Sequence, residues 1–235
     1  MTYHHQPRQT RAPQADSRLA SARVAVRARL AAGAALAALV ATPAVQAADA
    51  AKADPAKGQA IAGSVCAACH GPDGNSPTSA NPNLAGQHAD YLAKQLHDFK
   101  PQGDKPAARP NAIMSGMAAP LSDADIANVS AYFASQGLRP AWAENADLSK
   151  AGEQLYRAGI PAKGVPACAG CHGPNGAGIP VQYPHLAGQY AQYAAAQLTA
   201  FRQGERGNSP IMTSIAARLS DNEIAALAEY LAGLR

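Results

Sequence analysis

Two stretches of the chain share one spacing of apolar positions. Ala89, Leu92, Leu96 and Phe99 follow one another at intervals of three, four and three, and Ala191, Ala194, Leu198 and Phe201 repeat the pattern 102 residues later. This spacing predicts an amphipathic helix in each place. A second pair of helices is marked by its starts. Ser122 with Asp125, and Ser220 with Glu223, read as capping boxes, and Leu121 with Ile126, and Leu219 with Ile224, as hydrophobic staples. A third pair opens at Asp54-Pro55, a cap residue followed by proline in the first turn, and at Ser149. No run alternates with period two over a useful length. The expected fold class is all-α, with three main helices in each half.

The halves are copies. Cys66 to Phe99 aligns without a gap to Cys168 to Phe201, matching Leu84-Ala85-Gly86-Gln87 with Leu186-Ala187-Gly188-Gln189, and Tyr91, Gln95 with Tyr193, Gln197. After a four-residue shortening, Leu121-Ser122-Asp123 realigns with Leu219-Ser220-Asp221. A join near Gly137-Leu138-Arg139-Pro140, where glycine ends a helical pattern and proline follows, divides the chain into domains 48–138 and 139–235.

Residues 1–47 read as a signal peptide. Six arginines from Arg8 to Arg29 form a long basic start, Leu30 to Val40 is apolar but too short for a permanent span, and Val45-Gln46-Ala47 offers small residues for cleavage. No arginine pair indicates the twin-arginine route, so export by the Sec route to the periplasm is expected. The alternative is an uncleaved amphipathic anchor. Removing the segment leaves 14 Lys+Arg against 15 Asp+Glu, a charge near −1 in place of +4. The basic whole-chain balance therefore belongs to the leader and carries no argument for nucleic-acid binding.

Chemistry concentrates in the cysteines. All four lie in two C-x-x-C-H runs, Cys66-Ala67-Ala68-Cys69-His70 and Cys168-Ala169-Gly170-Cys171-His172. The spacing suits covalent haem c, with two thiols forming thioethers to one macrocycle and the histidine binding its iron. Disulfides, a thioredoxin-like pair and zinc are the alternatives; the all-helical pattern and the histidine after both pairs favour haem. Two covalently bound haem c groups are thus expected, and a domain of this size would draw much of its core from the buried ring.

A second axial ligand must come from Met114, Met117, Met212, His88, His97 or His185. Aligned back from the capping boxes, Met114 pairs with Met212, whereas Met117 pairs with Ile215, and His88, His97 and His185 pair with Tyr190, Thr199 and Asn83. Met114 and Met212 alone recur as ligand types. His/Met ligation closes both faces of the iron and raises its potential, which points to electron transfer and away from an enzyme.

With both motifs, both methionines and the duplication in place, residues 54 to 235 resemble the dihaem cytochrome c4 family, most specifically in Pro-His-Leu-Ala-Gly-Gln (184–189) and Ile-Met-x-Ser-Ile-Ala-Ala-x-Leu-Ser (211–220). The resemblance implies two tandem cytochrome c-like domains, each wrapped around one haem, with propionate edges facing across the interface. It implies that Pro82 and Pro184, as in class I cytochromes, accept the axial-histidine Nδ1 proton on their carbonyls, where plain turn prolines are the alternative. Tyr91 and Tyr193 could reach propionates or simply pack. It further implies a monomeric periplasmic carrier, soluble or loosely membrane-associated, moving electrons from a quinol–cytochrome c reductase to a terminal oxidase. The halves here differ little in charge, near −1 and 0 when divided after Arg139, which argues against strongly charge-steered docking. A dihaem subunit of a periplasmic dehydrogenase is the closest rival, and a dihaem peroxidase the more distant one.

Overall fold

A computed structural model describes residues 52–235; the expected signal segment, residues 1–47, lies outside them. The described residues form ten α-helices and no strand beyond isolated bridges. In the first half these are α1 (Pro55–Ile61), α2 (Ala67–His70), α3 (Ala89–Asp98), α4 (Ala112–Ala118) and α5 (Asp123–Ala134). In the second they are α6 (Ala146–Ala158), α7 (Ala169–His172), α8 (Ala191–Gln203), α9 (Pro210–Ala216) and α10 (Asp221–Gly233). The all-α expectation holds. The three expected main helices are present in each half, joined by two short ones that bear the cysteine motif and the methionine.

Each half is built on one helix crossing, α1 on α5 and α6 on α10, with α3 and α8 laid against the same partners. Glycine makes the crossing possible. A Cβ on Gly58 would sit 2.1 Å from the Asn128 carbonyl oxygen, and one on Gly152 would sit 2.0 Å from that of Ala226. The two backbones therefore touch where any side chain would separate them. Around the crossings lie Ala62, Leu92, Val129, Tyr132 and Phe133 in one half, and Tyr156, Leu219, Ile224, Leu227, Tyr230 and Leu231 in the other.

Most helix starts match the sequence. Asp54 accepts from the N–H groups of Ala56 and Lys57 ahead of Pro55, and both capping boxes form with side chain and backbone reciprocally bonded. The second long helix begins earlier than expected. Its cap is Asn145, whose side chain accepts the Leu148 N–H, and not Ser149, which lies inside α6. Glu229 of α10 also holds the N–H groups of Glu144 and Asn145, just ahead of that start.

Candidate haem sites

The two C-x-x-C-H runs are delivered by different routes to the same local shape. In the first half α1 widens into a π-turn, Ala62–Cys66, before closing into α2; such bulges recur at functional sites. In the second, α6 stops at Gly159, and Ile160 and Val165 exchange backbone hydrogen bonds of 2.8 and 3.1 Å before α7. Each run ends on a left-handed glycine, Gly71 or Gly173, with φ of 76° and 78°. No disulfide joins any of the four cysteines, which speaks against that alternative. Burial pushes the Cys66 and Cys168 thiols up to about 11. Zinc finds no setting, because among the described residues no three His, Cys, Asp or Glu side chains gather as a metal site.

His70 and His172 are each 7% exposed. Their Nδ1 atoms lie 3.0 Å from the Pro82 carbonyl oxygen and 3.3 Å from that of Pro184. Burial lowers both imidazoles below their ordinary pKa against the opposing pull of the carbonyl bond. A neutral ring that donates from Nδ1 leaves Nε2 as a lone-pair donor, the state a metal-binding histidine requires.

Met114 and Met212 occupy equivalent places on α4 and α9. Asn111 caps α4 by accepting the Met114 N–H at 2.8 Å, and Ser209 caps α9 by accepting that of Met212 at 3.4 Å. Both methionines are half-buried, whereas Met117 is 44% exposed. Of the competing histidines, His88 Nε2 lies 2.8 Å from the Ala177 carbonyl oxygen and His97 Nδ1 lies 3.8 Å from the Asp123 carboxylate.

Sequence reading passed over the polar seam between the halves. Arg109 donates to Gln95, Tyr193 and Gln197, and Arg206 to Gln197, Tyr91 and Gln95, at 2.8–3.0 Å. Each guanidinium also stacks on the phenylalanine of its own half, Phe99 or Phe201. Their equivalence is hidden in the sequence because they fall in the loop where the copies lose register. The backbone reveals it: the Arg109 N–H bonds the Asp98 carbonyl and the Arg206 N–H bonds that of Ala200, 102 residues on.

Among the described residues neither guanidinium has a carboxylate within salt-bridge distance, although Arg206 is only 7% exposed. Buried cations require counter-charge. Beside them, Tyr193 is pushed up by burial but drawn down further by Arg109 and Arg206, to a net pKa below its ordinary value. Two haems bring carboxylates, and planar guanidiniums are the donors that hold carboxylates best. The residues present fit the group in kind: each half offers two thiols, a buried imidazole and a half-buried thioether, and the junction offers guanidiniums with no carboxylate partner among the described residues.

The cytochrome c family model matches the chain twice, over residues 55–137 and 149–235. Cytochrome c4 of Azotobacter vinelandii is 51% identical over 194 residues, covering 78% of this chain and 90% of that protein. A thiosulfate dehydrogenase electron acceptor of Thiomonas intermedia is 39% identical over 172 residues, covering 71% and 77%. The crystal structure of reduced recombinant cytochrome c4 from Pseudomonas stutzeri superposes with a TM-score of 0.73 at 45% identity, covering 78% of this chain and all of that one. The chain belongs to the dihaem cytochrome c4 family, electron-transfer proteins made of two tandem cytochrome c domains with covalently attached haem c.

Proposed function

We propose that this protein is a periplasmic carrier that accepts electrons from a quinol-oxidising complex and passes them towards a terminal oxidase. Cys66 and Cys69 hold one haem by thioethers, and Cys168 and Cys171 the other. His70 and His172 bind the irons from one side, Met114 and Met212 from the other, while Pro82 and Pro184 fix the imidazoles. The observation that carries this reading is the paired environment itself: in each half a neutral, carbonyl-bonded imidazole follows the two thiols, and a half-buried methionine sits on a capped helix.

Haem held in this way supplies one-electron transfer. The protein keeps the rearrangement small. The histidine tautomer is fixed by a backbone carbonyl, the methionine by a helix whose first turn is capped, and both faces are closed to exogenous ligands. Closed faces also weigh against a peroxidase. The partly buried junction of Gln95, Gln197 and the two arginines supports a pair of haems held rigidly for exchange between them.

A second reading has one specific support, the likeness to a thiosulfate dehydrogenase electron acceptor. There the donor would be a periplasmic dehydrogenase and the same two sites would receive its electrons. For location, the reading rests on residues 1–47 as a cleaved leader, which delivers a mature chain that is monomeric and soluble or loosely membrane-bound. Among the described residues no helix is long and apolar enough to cross a membrane.

Stopped-flow reduction separates the two routes. The oxidised protein is mixed either with quinol and a quinol–cytochrome c reductase, or with thiosulfate and its dehydrogenase. Fast reduction in the first mixture, followed by reoxidation by an oxidase, is the expected result. Fast reduction only in the second would replace the quinol route.

A further inference from the structure

The repeated Leu-Ala-Gly-Gln run has a use that the haem ligands do not explain. Leu84 and Ala85 donate their N–H groups to the Gly74 carbonyl, and Gly86, at φ 69°, turns the chain so that its own N–H reaches Phe133. The next residue, Gln87, then points into the other half. Its Nε2 donates to the His185 carbonyl at 2.8 Å and its Oε1 accepts the His185 N–H at 2.9 Å. Gln189 grips Asn83 in the same way, with both contacts at 2.9 Å. A single side-chain amide thus satisfies both backbone groups of one residue, as a neighbouring strand would.

The gripped residue matters because of the peptide that precedes it. The Asn83 N–H and the Pro82 carbonyl belong to one rigid plane. One edge of that plane receives His70 Nδ1 at 3.0 Å, and the other is held by Gln189 from the opposite half. The Pro184–His185 plane stands likewise between His172 and Gln87. Hydrogen bonds at the two ends of a peptide orient it and polarise each other. Gln87 is 8% and Asn83 5% exposed, so water does not compete freely for these bonds.

We propose that Gln189 and Gln87 are positioning residues that set the axial-histidine hydrogen bond of the opposite half, so that each domain tunes the haem of the other. The assignment rests on His70 and His172 being the iron ligands. A strong Nδ1–H···O bond makes the imidazole more basic and favours ferric iron; weakening it raises the potential.

The test is Gln189→Met and Gln87→Met in the holoprotein, substitutions that keep length and flexibility but lose the amide. Each is followed by redox titration and by proton NMR of the ferric form, where the two haems give separate hyperfine-shifted signals; Met114→Ala marks the first-half set. Gln189→Met is expected to raise the first-half potential by about a threefold change in its redox equilibrium constant, about 28 mV for one electron, and to leave the second-half haem unchanged. Gln87→Met gives the mirror result.

A merely structural role predicts otherwise. Each glutamine Oε1 also accepts the N–H of the next residue in its own half, His88 or Tyr190, at 3.1 Å, so local damage would strike its own haem first. A shift confined to the home half, or no shift in either haem while helical circular dichroism is retained, overturns the proposal. If the wild-type ferric protein lacked the signals of iron-bound imidazole, the ligand assignment itself would fail, and that result is distinct.

Discussion

Met114 and Met212 sit on helices of only seven residues, and each helix is secured by a single cap at Asn111 or Ser209. That placement makes the residue-scale prediction sharp. Met114→Ala should lower the potential of the first-half haem, open it to carbon monoxide, and leave the second unchanged; Met212→Ala should do the reverse. Redox titration with and without carbon monoxide reads both effects, and a variant that titrates like the parent would remove that methionine from the coordination sphere. The pairing of Met114 with Met212 is legible in the sequence because duplication acts as an internal control: a residue with the same task in both copies recurs, and Met117 and the spare histidines do not. Arg109 and Arg206 were not legible. They lie one position out of register in a shortened loop, and only their backbone bonds to Asp98 and Ala200 reveal the correspondence.

At the scale of elements, the crossings of α1 with α5 and of α6 with α10 hold each half together. Their glycines leave no room for a side chain. Gly58→Ala and Gly152→Ala should each cost about 3 kcal/mol, since the nearest obstacles are backbone oxygens that cannot rotate away. Gly63, on the exposed face of the π-turn with nothing within 4 Å of its would-be Cβ, supplies the contrast. Gly63→Ala should stabilise by about 0.5 to 1 kcal/mol through the unfolded chain. Chemical denaturation of the three variants checks both signs, and equal effects at Gly58 and Gly63 would remove the close crossing as the reason for glycine. Helix starts are legible where they depend on neighbours in sequence, as at Asp54, Ser122 and Ser220. The start of α6 falls at Asn145, whose side chain takes the Leu148 N–H, while Glu229, far along the chain, holds the N–H groups of Glu144 and Asn145.

For the molecule as a whole, polar contacts join the two halves, and a histidine at that junction responds to acid. Burial and the neighbouring His88 hold His185 below its ordinary pKa, so it stays neutral in the folded protein. The unfolded chain binds its proton below about pH 6.5. Stability from this group is therefore full above that pH and declines as acid approaches the lowered folded value. His185→Asn, which installs the residue found at the equivalent Asn83, should flatten the loss of stability between about pH 7.5 and about pH 5.5. An unchanged slope would exclude His185 as its source. The junction is invisible to periodicity and capping rules, because it consists of side chains from one copy meeting side chains and backbone of the other. The central claim is that both haems are closed by histidine and methionine and serve electron transfer. The most direct measurement is the absorption spectrum of the mature holoprotein, oxidised and reduced, with and without carbon monoxide. Two closed haems predict the weak red-edge band of sulfur-ligated ferric iron and a reduced spectrum that carbon monoxide leaves unaltered. Ready carbon monoxide binding at either haem in the parent protein would contradict the account.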